Sequence, residues 1–537
     1  MRTPCDEAVL HSQQAVAQCV REAAPWILTA TILGSSMAFI DSTVVNVALP
    51  VLQQTFQASM VDVQWVVESY GLFLGSLILV GGALGDFLGR RKIFIGGVLI
   101  FAGASAWCGF ASSIQQLIIA RAIQGLGAAL LTPESLAIIS ASFDEQSRGQ
   151  AIGTWSGFTS ITTAIGPVLG GWLIQHASWR WAFFLNLPIA AVVIVISLWR
   201  VPESRSPSAK GIDWLGAILA TSGLGGIVFG LVESSTLGWR NYAVLLSLLL
   251  GVVCMAVFVI WEQRSSSPMM PLSLFHSRTF TGANLLTLCL YSAIGIFFFV
   301  FPLNLIQIQK YSATRAGAAA LPLILCMFLL SRWSGGLVAK YGPKKPLVIG
   351  PLIVAAGFLL FMLPAVGGSY WKDFFGPFLV LGFGMAITVA PLTTVVMNSV
   401  GADRAGAASG INNAVARIAG LLAIAVFGIV LVNAFGSRLE RDLSRVTVPQ
   451  TVKADLLANR VRLAALNIPP QVGHAEVNEI HRAVSDSFIF AFRLVMLICA
   501  LLAVASSLCS FLALTSPSPS STRTSSPEFA FARDSKQ

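Results

Sequence analysis

The chain has 537 residues, 55% hydrophobic and 11% charged, with mean hydropathy +0.77 and net charge +10. So apolar a composition excludes a string of soluble domains, and uncharged runs of the ~20 residues that cross a bilayer recur throughout. The surplus bases form no stripe interleaved with aromatics, which excludes nucleic acid as a partner and makes them loop charges of a polytopic membrane protein.

The polar arm 1–25 has no signal-peptide pattern and reads as cytoplasmic. Fourteen apolar spans follow: six within 26–200, a central pair within 213–262, and six within 280–514. The loops after even-numbered spans hold Arg90, Arg91, Lys92, Arg148, Arg205, Lys210, Arg264, Arg278, Lys340, Lys344, Lys345 and Arg404. Short loops after odd-numbered spans hold only Arg180, Arg240, Lys310, Arg315 and Lys372. The positive-inside rule therefore puts the first set and both termini in the cytoplasm. The long segment 435–486 reads as a partly helical external loop, and the Ser/Pro-rich tail 515–537 as a disordered cytoplasmic end. Neither the eight Cys nor the His residues show ligand spacing, so no metal and no disulfide framework is expected. No GxxxxGK[ST] phosphate loop is present, which excludes ATP as the energy source.

Internal repetition organises the spans. GALGDFLGRRK (82–92) returns as GGLVAKYGPKK (335–345) at an offset of 253, aligning Gly89 with Gly342. QGLGA (124–128) and LGFGM (381–385) align Gly125/Gly382 and Gly127/Gly384 at an offset of 257, and Gly153/Gly410 follow at the same offset. Three ordered matches predict an all-α protein of two pseudo-symmetric six-helix bundles flanking a central helix pair, the plan of transporters that rock one half against the other.

These segments resemble the major facilitator superfamily. GALGDFLGRRK is similar to its loop 2–3 signature, with Gly85 where Ala is usual and Phe87 where a base is usual. IIARAIQGLGAA (118–129) resembles the fourth-span signature, and GTWSGFTSITTAIGPVLGG (153–171) the fifth-span antiporter signature. FIDSTVVNVALP (39–50) and WRWAFFLNLP (179–188) resemble the fourteen-span drug:proton antiporter branch. The resemblance implies export across an inner or plasma membrane, powered by the proton-motive force without a cofactor, and no enzyme activity.

Residue chemistry gives these motifs roles. Asp86, at a helix end beside Arg90 and Arg91 and between Gly82 and Gly89, can form a cytoplasmic latch that breaks on opening. The second copy has no acid there. Gly153, Gly166, Gly170 and Gly171 permit close helix approach, and Pro167 favours a bend, so span 5 is expected to seal the cytoplasmic side.

Ionisable residues inside spans are costly and functional by default, and Asp41, Glu68 and Arg121 are three such residues. Counting residues from the outer span ends puts them at one depth, about 8–10 Å at 1.5 Å per residue. An apolar wall favours a neutral carboxyl and a nearby guanidinium an ionised one, so an acid poised between them can load and release a proton. Asp41 is the expected proton carrier, Arg121 its gating partner, and Glu68 a second acid for protons or cations; a static Asp41–Arg121 pair is the alternative. Asn46, Gln124, Trp155, Asn284 and Arg417 are candidate cavity residues, and the run Phe297–Phe299 either lines the cavity or packs.

The expected function is proton-coupled export of lipophilic, cationic compounds by alternating access, or of one endogenous metabolite. A membrane-fusion or outer-membrane partner is left unassigned.

Overall fold

A computed structural model describes residues 13–143, 145–205, 211–400, 405–446, 448–466 and 473–514; the tail, the start of the arm, Lys210 and Arg404 lie outside them. Among the described residues there is no strand. The membrane helices of the first bundle are α1 (Gln13–Thr55), α2 (Met60–Leu88), α3 (Arg90–Phe110), α4 (Ile114–Ser142), α5 (Glu145–His176) and α6 (Asn186–Arg200, entered through the turn Trp181–Phe184). The central pair is α7 (Trp214–Leu237) and α8 (Tyr242–Arg264). The second bundle holds α9 (Arg278–Leu303), α10 (Leu321–Gly335, entered through Ala313–Ala318), α11 (Lys344–Leu360), α12 (Phe375–Asn398), α13 (Ala405–Leu443) and α14 (His474–Ala513).

Thirteen of these segments are long and apolar enough to cross a membrane. The exception is α11, whose 17 residues make a helix of about 26 Å at 1.5 Å per residue. Local sequence sets the boundaries. Ser59 and Asp62 form a capping box at the start of α2, with Asp62 N donating to Ser59 Oγ at 3.1 Å and Ser59 N to Asp62 Oδ2 at 2.8 Å. Ser113, Asp213, Asn241 and Ser277 cap α4, α7, α8 and α9 in the ordinary way. Gly89 stops α2 with φ +119°, and Gly342 stops the short helix Leu337–Tyr341 with φ +73°. The aligned glycines thus occupy the same structural position, both at left-handed φ.

The repeat extends to packing. In the first bundle the paired helices include α1–α5, α1–α6, α2–α4, α3–α4 and α3–α6; in the second they include α9–α13, α9–α14, α10–α12, α11–α12 and α11–α14. Each pairing recurs eight helices later. The aligned glycines show why: Gly125 leaves no room for a Cβ against Tyr70 of α2, nor Gly382 against Leu323 of α10. Gly127 presses on Phe101 of α3, and Gly384 on Val354 of α11. Small residues let backbones touch where lipid supplies no hydrophobic drive.

The halves join along two seams, α2–α13 and α5 with the segment Ala313–Gly335. The central pair lies outside the first seam, with α7 packed on α2 and α13, and α8 mostly on α7. Leu245, Leu246, Leu249 and Val252 of α8 are exposed, as a lipid-facing helix requires.

The two ends differ. At the end away from Gly89 and Gly342, Gln307 Nε2 donates to Gln53 Oε1 at 2.8 Å, and Gln53 Nε2 to Arg462 O at 3.1 Å. Thr314 Oγ1 donates to Gln175 Oε1 at 2.7 Å, and Gly171 and Gly317 sit directly against the backbones of Ala313 and Pro167. The segment 448–466 folds as a helix, Gln450–Ala458, and a 3-10 turn, Arg460–Ala465, and buries Val452, Leu456 and Leu463 in the same core. Toward the basic end, which carries Arg90, Arg91, Lys344 and Lys345, the halves part along α5. A Cβ on Gly153 or Gly157 would meet nothing within 4 Å, and Phe158 is exposed. On the far half of α5, an apolar cavity of about 590 Å³ lies between Ile161 and Ile165 of α5 and Ile324 and Phe328 of α10, and reaches Trp172 and Thr314.

Candidate functional site

The centre of the first bundle is a closed polar network in an apolar surround. Arg121 Nη1 lies 2.5 Å from Asp41 Oδ2, joining α4 to α1, with the two side chains 1% and 0% exposed. One turn along α4, Gln124 Nε2 donates to Asp41 Oδ1 at 2.8 Å while its Oε1 accepts from Arg121 Nη1 at 2.7 Å. Arg121 Nε donates to Val66 O at 3.0 Å, and its guanidinium lies 4.1 Å above the Tyr70 ring. Asn186, at the start of α6, reaches Asp41 Oδ1 at 3.5 Å and donates to Ser105 Oγ at 3.0 Å.

Removing two charges from water costs several kcal/mol per ion, and only good geometry with further hydrogen bonds offsets it. Asp41 and Arg121 have both. Chemically, protonation would cancel the charge on Asp41 and leave Arg121 with Gln124, the Val66 carbonyl and the Tyr70 ring as neighbours. Asn186, Tyr70 and Ser105 were not singled out from sequence. The available signal was polar residues inside apolar runs, the Asn of WRWAFFLNLP among them.

Glu68 lies elsewhere. It is 0% exposed and neither carboxyl oxygen has a partner. It sits one turn from Gln64, which donates to Ile424 O of α13 at 3.0 Å, and from Trp65, which donates to Glu233 of α7 at 2.8 Å. That places it in the apolar seam of α2, α7 and α13, away from the Asp41 network.

At the basic end, Arg90 Nη2 pairs with Asp86 Oδ1 at 2.7 Å, and Arg91 N donates to Glu203 Oε1 at 3.1 Å. Gly82 packs on Pro133, Gly85 faces the Glu134 carboxyl so closely that a Cβ would collide with it, and Gly89 faces the Glu203 carboxyl. Among the described residues the Asp86–Arg90 ion pair lies within the first bundle, beside the parting of the halves along α5. The fifth-span motif divides in two: Gly166 and Gly170 press on Thr43 and Val44 of α1, and Gly171 and Pro167 meet the second half. In this conformation the motif makes contact with the second half at the far end, through Gly171 and Pro167, while its basic-end half, Gly153 and Gly157, stands free of it.

Of the candidate cavity residues, Gln124 is consumed by the network and Asn284, 4% exposed, holds Asn412 through a 3.1 Å bond from Asn412 Nδ2. Asn46 donates to Ser42 O on its own helix at 3.1 Å, and Trp155 Nε1 to Ser35 Oγ at 3.2 Å. Arg417, half-buried on α13, makes no ion pair or hydrogen bond among the described residues. Phe297 packs against Phe301, Phe358, Phe361 and Phe378 inside the second bundle, so that run is core. No group of three or more His, Cys, Asp or Glu that could hold a metal occurs among the described residues.

Comparison with known proteins agrees with this architecture. The Multidrug resistance protein Stp of Mycobacterium tuberculosis is 35% identical over 490 residues, 88% of each chain. The tetracenomycin C resistance and export protein of Streptomyces glaucescens is 32% identical over 454 residues, 83% of each chain. The methylenomycin A resistance protein of Bacillus subtilis is 32% identical over 408 residues, covering 75% of this chain and 87% of its own. Among solved structures, an inward-facing, unoccupied bacterial homolog of the human lysosomal transporter Spinster superposes with TM-score 0.62 at 17% identity, covering 92% of this chain and 99% of that one. A D-xylose-proton symporter does so with TM-score 0.58 at 14% identity, covering 91% and 98%. Both structural likenesses speak for the fold alone. The Major Facilitator Superfamily family model matches residues 31–424, and the chain belongs to that superfamily: it is a multi-pass membrane transporter and not an enzyme.

Proposed function

We propose that this transporter exports lipophilic small molecules from the cell in exchange for protons, by alternating access between its two bundles. The observation that carries this is the Asp41–Arg121–Gln124–Asn186 network: a carboxylate buried where charge is expensive, held by a guanidinium that has other acceptors to turn to. Asp41 takes the proton from the outer side and Arg121 gates its release. Loop charge supports a cytoplasmic basic end, and on that orientation this conformation is the inward-facing state, sealed outside by the Gln53–Gln307 bond and the backbone contacts of α5 with the segment Ala313–Ala318. Opening outward breaks that seal and closes α5 onto the second half at the basic end, where Asp86 and Arg90 act as the latch. Export as the direction is supported by the relatives named for multidrug resistance and for export. Two relatives are named for resistance to a single compound each, which favours a narrow substrate range as the second reading.

The test is dye accumulation in everted membrane vesicles under an imposed proton gradient, using fluorescein, ethidium and a neutral lipophilic dye, for wild type and Asp41→Asn. Gradient-dependent accumulation of at least one dye, reduced tenfold or more by Asp41→Asn, is expected. If Asp41→Asn accumulates dye at the wild-type rate, the carrier is not Asp41. If no dye responds to the gradient, proton-coupled export fails.

A further inference from the structure

The charges within the bilayer are not balanced around the space between the bundles. In the first bundle every described intramembrane base near the centre is neutralised: Arg121 is locked to Asp41. In the second, Arg417 is not. It lies 12 residues after the start of α13 at Ala405, about 18 Å along the helix at 1.5 Å per residue, near mid-membrane. Its Cβ faces Gly75 of α2 at the seam between the halves, with a Cβ there coming to 3.7 Å. Its guanidinium is within electrostatic reach of Tyr70 from the first bundle and Tyr291 from the second. Asn413, one turn nearer the basic end on the same helix face, is exposed, and Asn412 is held in place by Asn284 and Thr287, the latter bond 2.7 Å. Glu68 is enclosed in its own seam with both oxygens unpartnered, so it does not neutralise Arg417.

An unpaired cation at this depth is costly, and intramembrane charges are retained where a partner or a substrate pairs with them. A guanidinium further offers a planar fork of donors matched to a carboxylate or sulfonate, with two tyrosines within electrostatic reach of it. We propose that Arg417, at the α2–α13 seam between the halves, is the charge-recognition residue for substrate, and that the compounds exported are lipophilic aromatic anions rather than the cations expected from the sequence. The assignment rests on the exporter function proposed above and names its substrate class. It also fixes the charge balance of the cycle. One proton inward against one monoanion outward carries two charges across, so a membrane potential negative inside the cell drives it as well as the pH difference. Exchange of a proton for a monovalent cation carries none.

Binding separates substrate class from proton coupling. Fluorescence anisotropy of fluorescein, a lipophilic aromatic anion, would be measured with the purified full-length protein, beside ethidium. Wild type is expected to bind fluorescein, Arg417→Lys to bind it a few-fold more weakly, and Arg417→Gln at least tenfold more weakly. Asn413→Asp changes an exposed side chain and places a carboxylate one turn from Arg417, so it keeps the test alive should Arg417→Gln not fold. It is expected to depress fluorescein binding at least fivefold and to improve ethidium binding. In vesicles, an imposed potential with no pH difference is expected to drive fluorescein and not ethidium. Absence of fluorescein binding by wild type, or equal binding by wild type and Asn413→Asp, overturns the anion assignment whatever the vesicles do. Arg417-dependent binding with no response to either gradient upholds the anion site and overturns proton-coupled export instead.

Discussion

The two bundles share their packing but not their charges. Five helix pairings of the first bundle recur in the second, down to which neighbour Gly125 and Gly382, or Gly127 and Gly384, press against. Yet the first bundle holds a fully enclosed acid–base network and an acidic residue in its loop signature. The second holds Arg417, unpaired among the described residues, at its seam with α2, and Ala339 at the position aligned with Asp86. Glycine contacts set backbone approach, and a duplicated fold keeps them in both copies because both must close without a hydrophobic drive. Charges serve particular steps, so they are free to diverge. The half with the network is suited to proton chemistry and the half with the unpaired base to recognition.

The largest effect should come from breaking the enclosed side of this contrast. Arg121→Ala strands the Asp41 carboxylate, one Gln124 oxygen and the Val66 carbonyl in a place water does not reach. Removing one partner of a buried pair costs about 3–5 kcal/mol, and thermal unfolding in detergent should show it as a clear drop in Tm. Asp41→Asn, Arg121→Gln together should recover most of the stability but none of the coupled transport. Full stability loss in the double variant as well would mean that the network is held by more than its charges.

Next in size is the seam where the halves touch. At Gly317 a Cβ would overlap the Pro167 carbonyl, a backbone atom that has no rotamer to escape into. Gly317→Leu should therefore prevent the far end from closing and shift the protein toward the opposite state. Labelling of a cysteine placed at Ala58, buried at the same end, should rise severalfold as the Gln53–Gln307 contact opens, and transport should fall at least tenfold. Unchanged labelling would show that α5 and the segment Ala313–Ala318 can separate without opening the rest of that end.

Depth was legible in the sequence and direction was not. Counting residues placed Asp41, Arg121 and Glu68 at one level, and the first two do meet. Glu68, at the same level, points into the α2–α7–α13 seam, because a helix apolar all round carries no moment to say which way a side chain faces. For the same reason Gln124 and Asn284, expected at the cavity, turn out to hold other side chains, and Asn186 went unnoticed. The repeat was legible because glycines in register survive any choice of apolar neighbour. The closure of the far end was not, since it depends on polar contacts between residues hundreds apart, such as Gln53 with Gln307 and with the Arg462 carbonyl. Gly85, where Ala is usual, has its reason only in space: the Glu134 carboxyl occupies the volume a methyl would need.

The smallest predicted effect sharpens the contrast at the loop signatures. Gly89 and Gly342 both stop a helix with positive φ, so replacing either with Ala imposes the left-handed penalty of about 1–2 kcal/mol. At Gly342 the φ of +73° is close to the left-handed basin that non-glycine residues can occupy. At Gly89 the φ of +119° lies outside it, and a methyl would also come to 2.7 Å from Glu203 Oε1, the atom that accepts from Arg91 N. Gly89→Ala should therefore cost more than Gly342→Ala, by about 1 kcal/mol in unfolding free energy, and only the former should loosen the Arg91–Glu203 contact. Glu203→Ala removes both the clash and the bond from Arg91 N, so Gly89→Ala is compared with and without it, and a smaller cost of Gly89→Ala in the Glu203→Ala background would locate the asymmetry in that one carboxylate. Equal losses for the two glycines would mean that backbone strain alone sets the cost, and that the acidic neighbours of the first loop contribute nothing to holding its turn.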